Sequence, residues 1–215
     1  MSSRTLTETL TDRLLILFLI SECQKQACRV TGKVKLLKLV YLSEGRMNQN
    51  ETKGFNYGFY RWDYGPMSNE VLQDLDYLSE NSLLEKTENF IGITNRGLEV
   101  LKGSTPLLNH NEELLKLIHK VIKEFGHYKG KSLKTIVYGI PKIGERILVG
   151  KTEHGAVLLQ KLPLEKARKM FWIDDEWIET LSILLDKEVC DSLKRGTQDA
   201  REGRVTKYEP VKSTA

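Results

Sequence analysis

The chain has 215 residues, of which 40% are hydrophobic and 29% charged, with a formal net charge of +4. That length holds one good core, or one core with a smaller appended module, and the apolar content is too high for a disordered chain. The longest apolar run, Leu14 to Ile20, spans seven residues, far short of the roughly 18 that a membrane-crossing helix requires, so no membrane partner is expected.

Glu8, Asp12 and Arg13 precede that run and no small-residue cleavage site follows, so it reads as a buried helix of a cytoplasmic protein and not as a secretion signal. The first helix is predicted from about Thr9 to Ala27. Leu10, Leu14, Leu17 and Phe18 face inward, and Leu15, Ile16, Leu19 and Ile20 widen the stripe until the helix must touch neighbours on more than one side. A second helix, about Lys33 to Met47, carries Val34, Leu37, Val40 and Tyr41 on one face, with Lys33, Lys35 and Lys38 around its rim. A polar loop from Asn48 to Lys53 leads to an aromatic extended run, Phe59, Tyr60, Trp62 and Tyr64, which turns sharply at Gly65-Pro66. Ser68 then caps a third helix through Glu80, with Val71, Leu72, Leu75 and Leu78 on its apolar face.

Leu83-Leu84-Glu85 and Phe90 to Ile93 flank a polar turn and are predicted to form a short β-hairpin. Thr94 caps a further helix through Leu101. Three helices, a hairpin and another helix follow one another as in a winged-helix unit. Ser104-Thr105-Pro106 reads as punctuation before a strongly amphipathic helix from Asn111 to Phe125, and Ser132 to Tyr138 forms another short helix. Between Gly139 and Gly155 the pattern is open, although Ile147 to Val149 and Ala156 to Leu159 could pair as strands. Pro163 is placed in the first turn of a helix carrying Leu164, Ala167, Met170 and Phe171, and Asp174 or Asp175 caps one carrying Trp177, Ile178, Leu181, Leu184 and Leu185. From Asp186 the chain is charge-rich, ending in Lys207-Tyr208-Glu209-Pro210 and a small polar tail that frays unless held. The expected fold is mainly α (α+β): a winged-helix-like N-terminal domain (1–104) with a short β-hairpin, a helical region (105–185) that completes its core, and a charged C-terminal helix and tail (186–215).

No catalytic constellation emerges. His110, His119, His127 and His154 are scattered, and Cys23, Cys28 and Cys190 match neither a disulfide framework nor a zinc knuckle. Gly150-Lys151-Thr152 lacks the upstream glycine of a phosphate loop, where Glu145 stands instead. The expectation is therefore a non-enzyme without metal or cofactor. Charge, by contrast, is strongly polarised. Residues 25–61 hold eight Lys or Arg against Glu44 and Glu51, whereas residues 63–90 hold seven acids against Lys86 alone.

That reversal bears on nucleic acid binding, because the third helix of a winged-helix reader enters the major groove. Here it carries Glu70, Asp74, Asp76 and Glu80 and no cation, so phosphates would repel it. Duplex binding would fall instead to Lys33, Lys35, Lys38 and Arg46 on the second helix, or to residues 129–151, with six basic residues against Glu145. A protein partner suits the surface better. Glu70, Asp74 and Asp76 would supply charge to it, with Trp62, Tyr64 and Trp177 as apolar anchors. For Trp62 and Tyr64 the plainer reading is aromatic core beside a turn.

Lys35-Leu36-Leu37-Lys38-Leu39-Val40-Tyr41-Leu42, followed by Tyr64-Gly65-Pro66-Met67-Ser68 with Glu70-Val71 and Leu75, resembles the Panacea family of SocA-like antitoxin proteins. Ile93-Thr94-Asn95-Arg96-Gly97 with Leu101 is similar to the end of many winged-helix hairpins. The resemblance spans about residues 10–140 and implies a toxin-neutralising module, with a cognate toxin encoded next door as partner and duplex DNA as the alternative. It fixes no contact residues. The segment from Leu181 to Pro210 is separately similar to the charged toxin-binding end of small antitoxins, and reads equally as the last helix of the domain.

Overall fold

The computed structural model describes residues 4–204, so the terminal segment with Lys207 to Pro210 lies outside the described residues. Among those residues the fold is mainly helical with small sheets. Helix α1 (Leu6–Lys25) runs through its centre. Leu14, Leu15, Ile16, Leu17, Leu19 and Ile20 are all fully buried, and α1 meets elements on several sides. Its start lies three residues earlier than expected, because Thr5 and Glu8 close a reciprocal capping box there.

Helix α2 (Lys33–Gln49) follows, and its chain continues through strand β1 (Thr52–Lys53) to β2 (Phe59–Trp62) and β3 (Gly65–Met67). β2 and β3 form an antiparallel hairpin closed by Asp63 and Tyr64, with Trp62 opposite Gly65 and Arg61 opposite Pro66. Gly65 has φ +112°, a backbone that glycine adopts without penalty, and Pro66 sits on the sheet edge, where its missing N–H costs no ladder bond. Helix α3 (Asn69–Glu80) opens as expected at Ser68, whose hydroxyl accepts from the Val71 amide. Strands β4 (Leu84–Lys86) and β5 (Ile91–Ile93) form the predicted hairpin, and Thr94 caps α4 (Asn95–Gly103).

Past that point the chain departs from expectation in three places. Ser104 does end α4, but Thr105-Pro106 at once opens α5 (Thr105–His110), a helix the pattern did not predict, with proline in the first turn where its absent N–H does no harm. After α6 (Glu112–Phe125) and α7 (Gly130–Gly139), residues 147–149 do not pair with 156–159. Val149–Lys151 make a 3-10 turn instead, and β6 (Val157–Leu159) adds to the free side of β2. Nor does a helix carry Leu164 to Phe171. After one 3-10 turn, β7 (Lys169–Met170) pairs in parallel with β1, and the amides of Arg168, Lys169 and Phe171 go to the carbonyls of Glu51 and Lys53. Helices α8 (Asp175–Leu185), capped by Asp174, and α9 (Lys187–Arg201) end the described chain.

Two buried carboxyls lie beneath this architecture. Asp12 on α1 accepts from the backbone and side-chain nitrogens of Asn56 at 2.9 and 3.1 Å and pairs with Arg4 at 2.8 Å. Burial nevertheless pushes it up to about 7 against those partners. Glu44 on α2 is buried and neither carboxyl oxygen makes a hydrogen bond. Burial first, then the charge of Asp12, raises it well above the usual carboxylate range, and the charge of Lys53 offsets this only in part.

A carboxyl raised in the fold holds its proton while the unfolded group, ionising near about 4.3, has lost it. Its contribution to stability is complete below that value and is lost as pH rises toward the folded pKa. The urea midpoint of the wild type is therefore expected to fall between about pH 5 and about pH 8. Glu44→Gln should match the wild type at the lower pH and exceed it at the higher. Parallel curves for the two proteins would contradict this assignment.

Candidate protein-binding surface

The acids of α3 do not form one solvated face. Asp74 is 1% exposed, wedged between Arg4 Nη1 at 2.6 Å and Arg13 Nε at 2.9 Å, and it accepts from the Tyr57 hydroxyl at 2.9 Å. Burial alone would lower the Arg4 pKa, but the hydrogen bond to Asp74 and the charges of Asp12 and Asp74 raise it instead. Arg13 also lies 3.4 Å above the Tyr77 ring. Glu70 accepts from the Gly58 amide and lies 3.8 Å from Arg4, while Asp76 pairs at the surface with Lys86. Asp74 is thus an internal tie between α3, α1 and the chain start, and the expectation that it offers charge to a partner is corrected.

The cations of α2 are equally misplaced for a duplex. Lys35 is buried, donating to the carbonyls of Arg29 and Gly126 at 2.8 and 2.6 Å. Lys38 is buried as well, and Arg46 pairs with Glu124 at 2.7 Å, which leaves Lys33 exposed without forming a ridge with the other three. The Gly126 carbonyl after α6 and the Gly130 carbonyl at the start of α7 lie where the Lys35 and Lys38 ammonium groups reach, so both lysines turn inward instead of lining a rim. Trp177 is half-buried and packs on the core from α8.

Trp62 and Tyr64, in contrast, are 43% and 65% exposed. Alternation along β2 sends Phe59 into the core and Tyr60 and Trp62 to the opposite face, where their rings meet edge to face at 5.8 Å. His154 packs on Trp62 at 4.2 Å and reaches Asp63 Oδ1 at 3.2 Å. Tyr64 does not share that face, because it sits in the turn and not in the strand, and its ring lies 5.4 Å from Lys134 Nζ.

Behind the turn lies Tyr138 of α7, whose hydroxyl donates to the Asp63 carbonyl at 3.1 Å. Arg61 and Lys134 stand over its ring at 4.5 and 5.1 Å. A side chain at Gly65 would come within 3.3 Å of that ring and 3.7 Å of Lys38 Cε, so hairpin, α7 and α2 meet at one point. Sequence reasoning missed Lys134, Tyr138 and His154 as members of this surface. Lys134 and Tyr138 stand four apart on one helix face, a spacing that could have pointed to them.

No group of three or more His, Cys, Asp or Glu that could hold a metal occurs among the described residues, and no helix there is long and apolar enough to cross a membrane. Residues 36–141 match a family model described as antitoxin SocA-like, Panacea domain. No curated protein and no solved structure matches the chain. Lys38, Arg61, Trp62, Tyr64, Lys134 and Tyr138 all fall within the matched span, whereas α8 and α9 fall outside it.

Removing one partner from a buried ion cluster strands the others, at a cost of about 3–5 kcal/mol. Asp74→Ala should lower unfolding free energy by that amount in urea titrations, because Arg4 and Arg13 lose their shared carboxylate. Asp76→Ala, which opens only a surface pair, should cost no more than about 1 kcal/mol. Equal effects at the two positions would contradict the placement of Asp74.

Proposed function

The chain carries a SocA-like Panacea domain, and from that premise we propose that it is an antitoxin that neutralises a protein toxin by direct contact, without catalysis. The observation that carries the choice of surface is the exposure of Trp62 and Tyr64 on a hairpin whose other side is anchored in the core. Large aromatic rings left in water on a rigid element match the residues that dominate protein interfaces, since they bury much area and lose little freedom on binding. Phe59, fully buried, and the Tyr138 bond to the turn hold the hairpin in place before any partner arrives. The proposed mechanism is steric: the hairpin and α7 cover the working surface of the toxin.

The order α1, α2, α3 and the β4–β5 hairpin supports a winged-helix-like reading of the N-terminal part, and with it a regulator that binds DNA. That second reading is the weaker one. The exposed side of α3 shows Asn69, Gln73 and Glu80 and no cation, and two of the four α2 cations proposed for phosphates are buried.

The neighbouring gene product supplies the test. Coexpressed with this chain, it should be retained on purification and its effect on growth suppressed. Trp62→Ala and Tyr64→Ala together should weaken the complex by about 2 kcal/mol or more, the range of interface hot spots, with an unchanged thermal melt. Full neutralisation by the double variant would contradict the choice of surface. Nanomolar duplex affinity that falls steeply with salt, without capture of the neighbour, would favour the regulator.

A further inference from the structure

Three cations gather around Tyr138, and none has a carboxylate partner among the described residues: Lys38, Arg61 and Lys134. Elsewhere in the interior, buried Lys35 is met by two carbonyls at 2.8 and 2.6 Å, and other cations meet acids. Arg4, Arg13 and Lys53 each meet an acid within 3.0 Å. Arg61 is the most telling of the three. Its Nε and Nη1 are shielded from solvent yet donate to nothing, and its guanidinium carbon lies 4.5 Å from the centre of the Tyr138 ring. Unmet donors on a partly buried charged group are costly, so a small shift of the cover over them that let a carboxylate pair with the guanidinium fork would be favourable. Lys38, buried at 1% exposure, has only the Gly130 carbonyl at 3.4 Å. Its burial, and secondarily the charge of Lys134, hold it down at about 8, so an arriving anion would relieve both penalties.

We infer that the Arg61, Lys38 and Lys134 cluster is a receptor for a carboxylate of the protein partner, placed so that an acidic segment enters between Tyr64 and Tyr138. The assignment rests on reading the Trp62 and Tyr64 surface as the contact face. It reverses the sign of charge that the acids of α3 suggested: this face seeks an acidic partner, not a basic one. A nucleic acid fits less well, because part of the ring surface on which bases would stack is already taken, although Tyr64 is 65% exposed. His154 lies on Trp62, and Arg61 and Lys134 stand over Tyr138. Asp63 and Glu153, exposed close by, would also repel an extended phosphate backbone while leaving room for a single carboxylate.

The full chain can be titrated with acetylated hexaglutamate, with hexaglutamine and with a short oligothymidylate at one ionic strength, following the Arg61 Nε–H and Trp62 indole N–H resonances. Hexaglutamate should shift both signals and hexaglutamine neither. Arg61→Gln should weaken hexaglutamate binding by about tenfold or more, the scale of a charge-assisted paired contact, with an unchanged melting curve. Lys134→Gln, on the more open side of α7, should weaken it by a smaller factor and flatten its salt dependence. The proposal is overturned by hexaglutamate binding that neither variant changes, by no shift with any probe, or by oligothymidylate binding tighter than hexaglutamate. A chain that binds hexaglutamate through Arg61 yet fails to neutralise its neighbour would support this site and sink the neutraliser reading alone.

Discussion

Asp74 between two guanidinium groups sets the rotation of α3 and, through it, the character of the molecular surface. A carboxylate at that depth is tolerable only because Arg4, Arg13 and Tyr57 converge on it from the chain start, from α1 and from the loop before β2. The same contacts bring Val71, Leu75 and Leu78 against the core, so the apolar and ionic sets on α3 agree on one orientation. Once α3 is turned this way it has little charge to offer outward. The surface with unmet chemistry lies elsewhere.

That surface is built by a close approach of three elements. Gly65, with no Cβ, lets the hairpin settle against Tyr138 and the Lys38 stem, and the Tyr138 hydroxyl pins the turn. With Phe59 inward, the pleat of β2 must put Tyr60 and Trp62 on the other side. Exposed rings and unpaired cations are thus consequences of one corner in the chain. Each would be destabilising or idle in an isolated domain, and both become favourable against a partner that covers the rings and supplies an anion.

Local chemistry was the legible part of the fold. Ser68, Thr94 and Asp174 each cap a helix through their own side chains, and the β4–β5 hairpin needs only its turn and its alternating neighbours. What failed was decided by residues far away in sequence. Asp74 looks like any surface acid until Arg4, seventy positions earlier, is brought against it. Lys35 and Lys38 look like rim residues until the carbonyls of Gly126 and Gly130 are supplied from the α6–α7 junction. Residues 163–171 have the apolar spacing of a helix, but the amides of Arg168, Lys169 and Phe171 are taken by the carbonyls of Glu51 and Lys53. Trp62 and Tyr64 were placed at the right corner, and only the packing of β6 and α7 shows that this corner faces water. The family resemblance, drawn from residues 35–42 and 64–68, falls within or beside the span that the family model matches.

The most direct measurement is amide hydrogen exchange of the chain, alone and in complex with the protein that it retains on coexpression. Slower exchange is expected along the β2–β3 hairpin, residues 59–67, and along α7, with α3 and α9 unchanged. Protection confined to α3 or α9, with the hairpin as open in the complex as in the free chain, would contradict the assignment of the contact face.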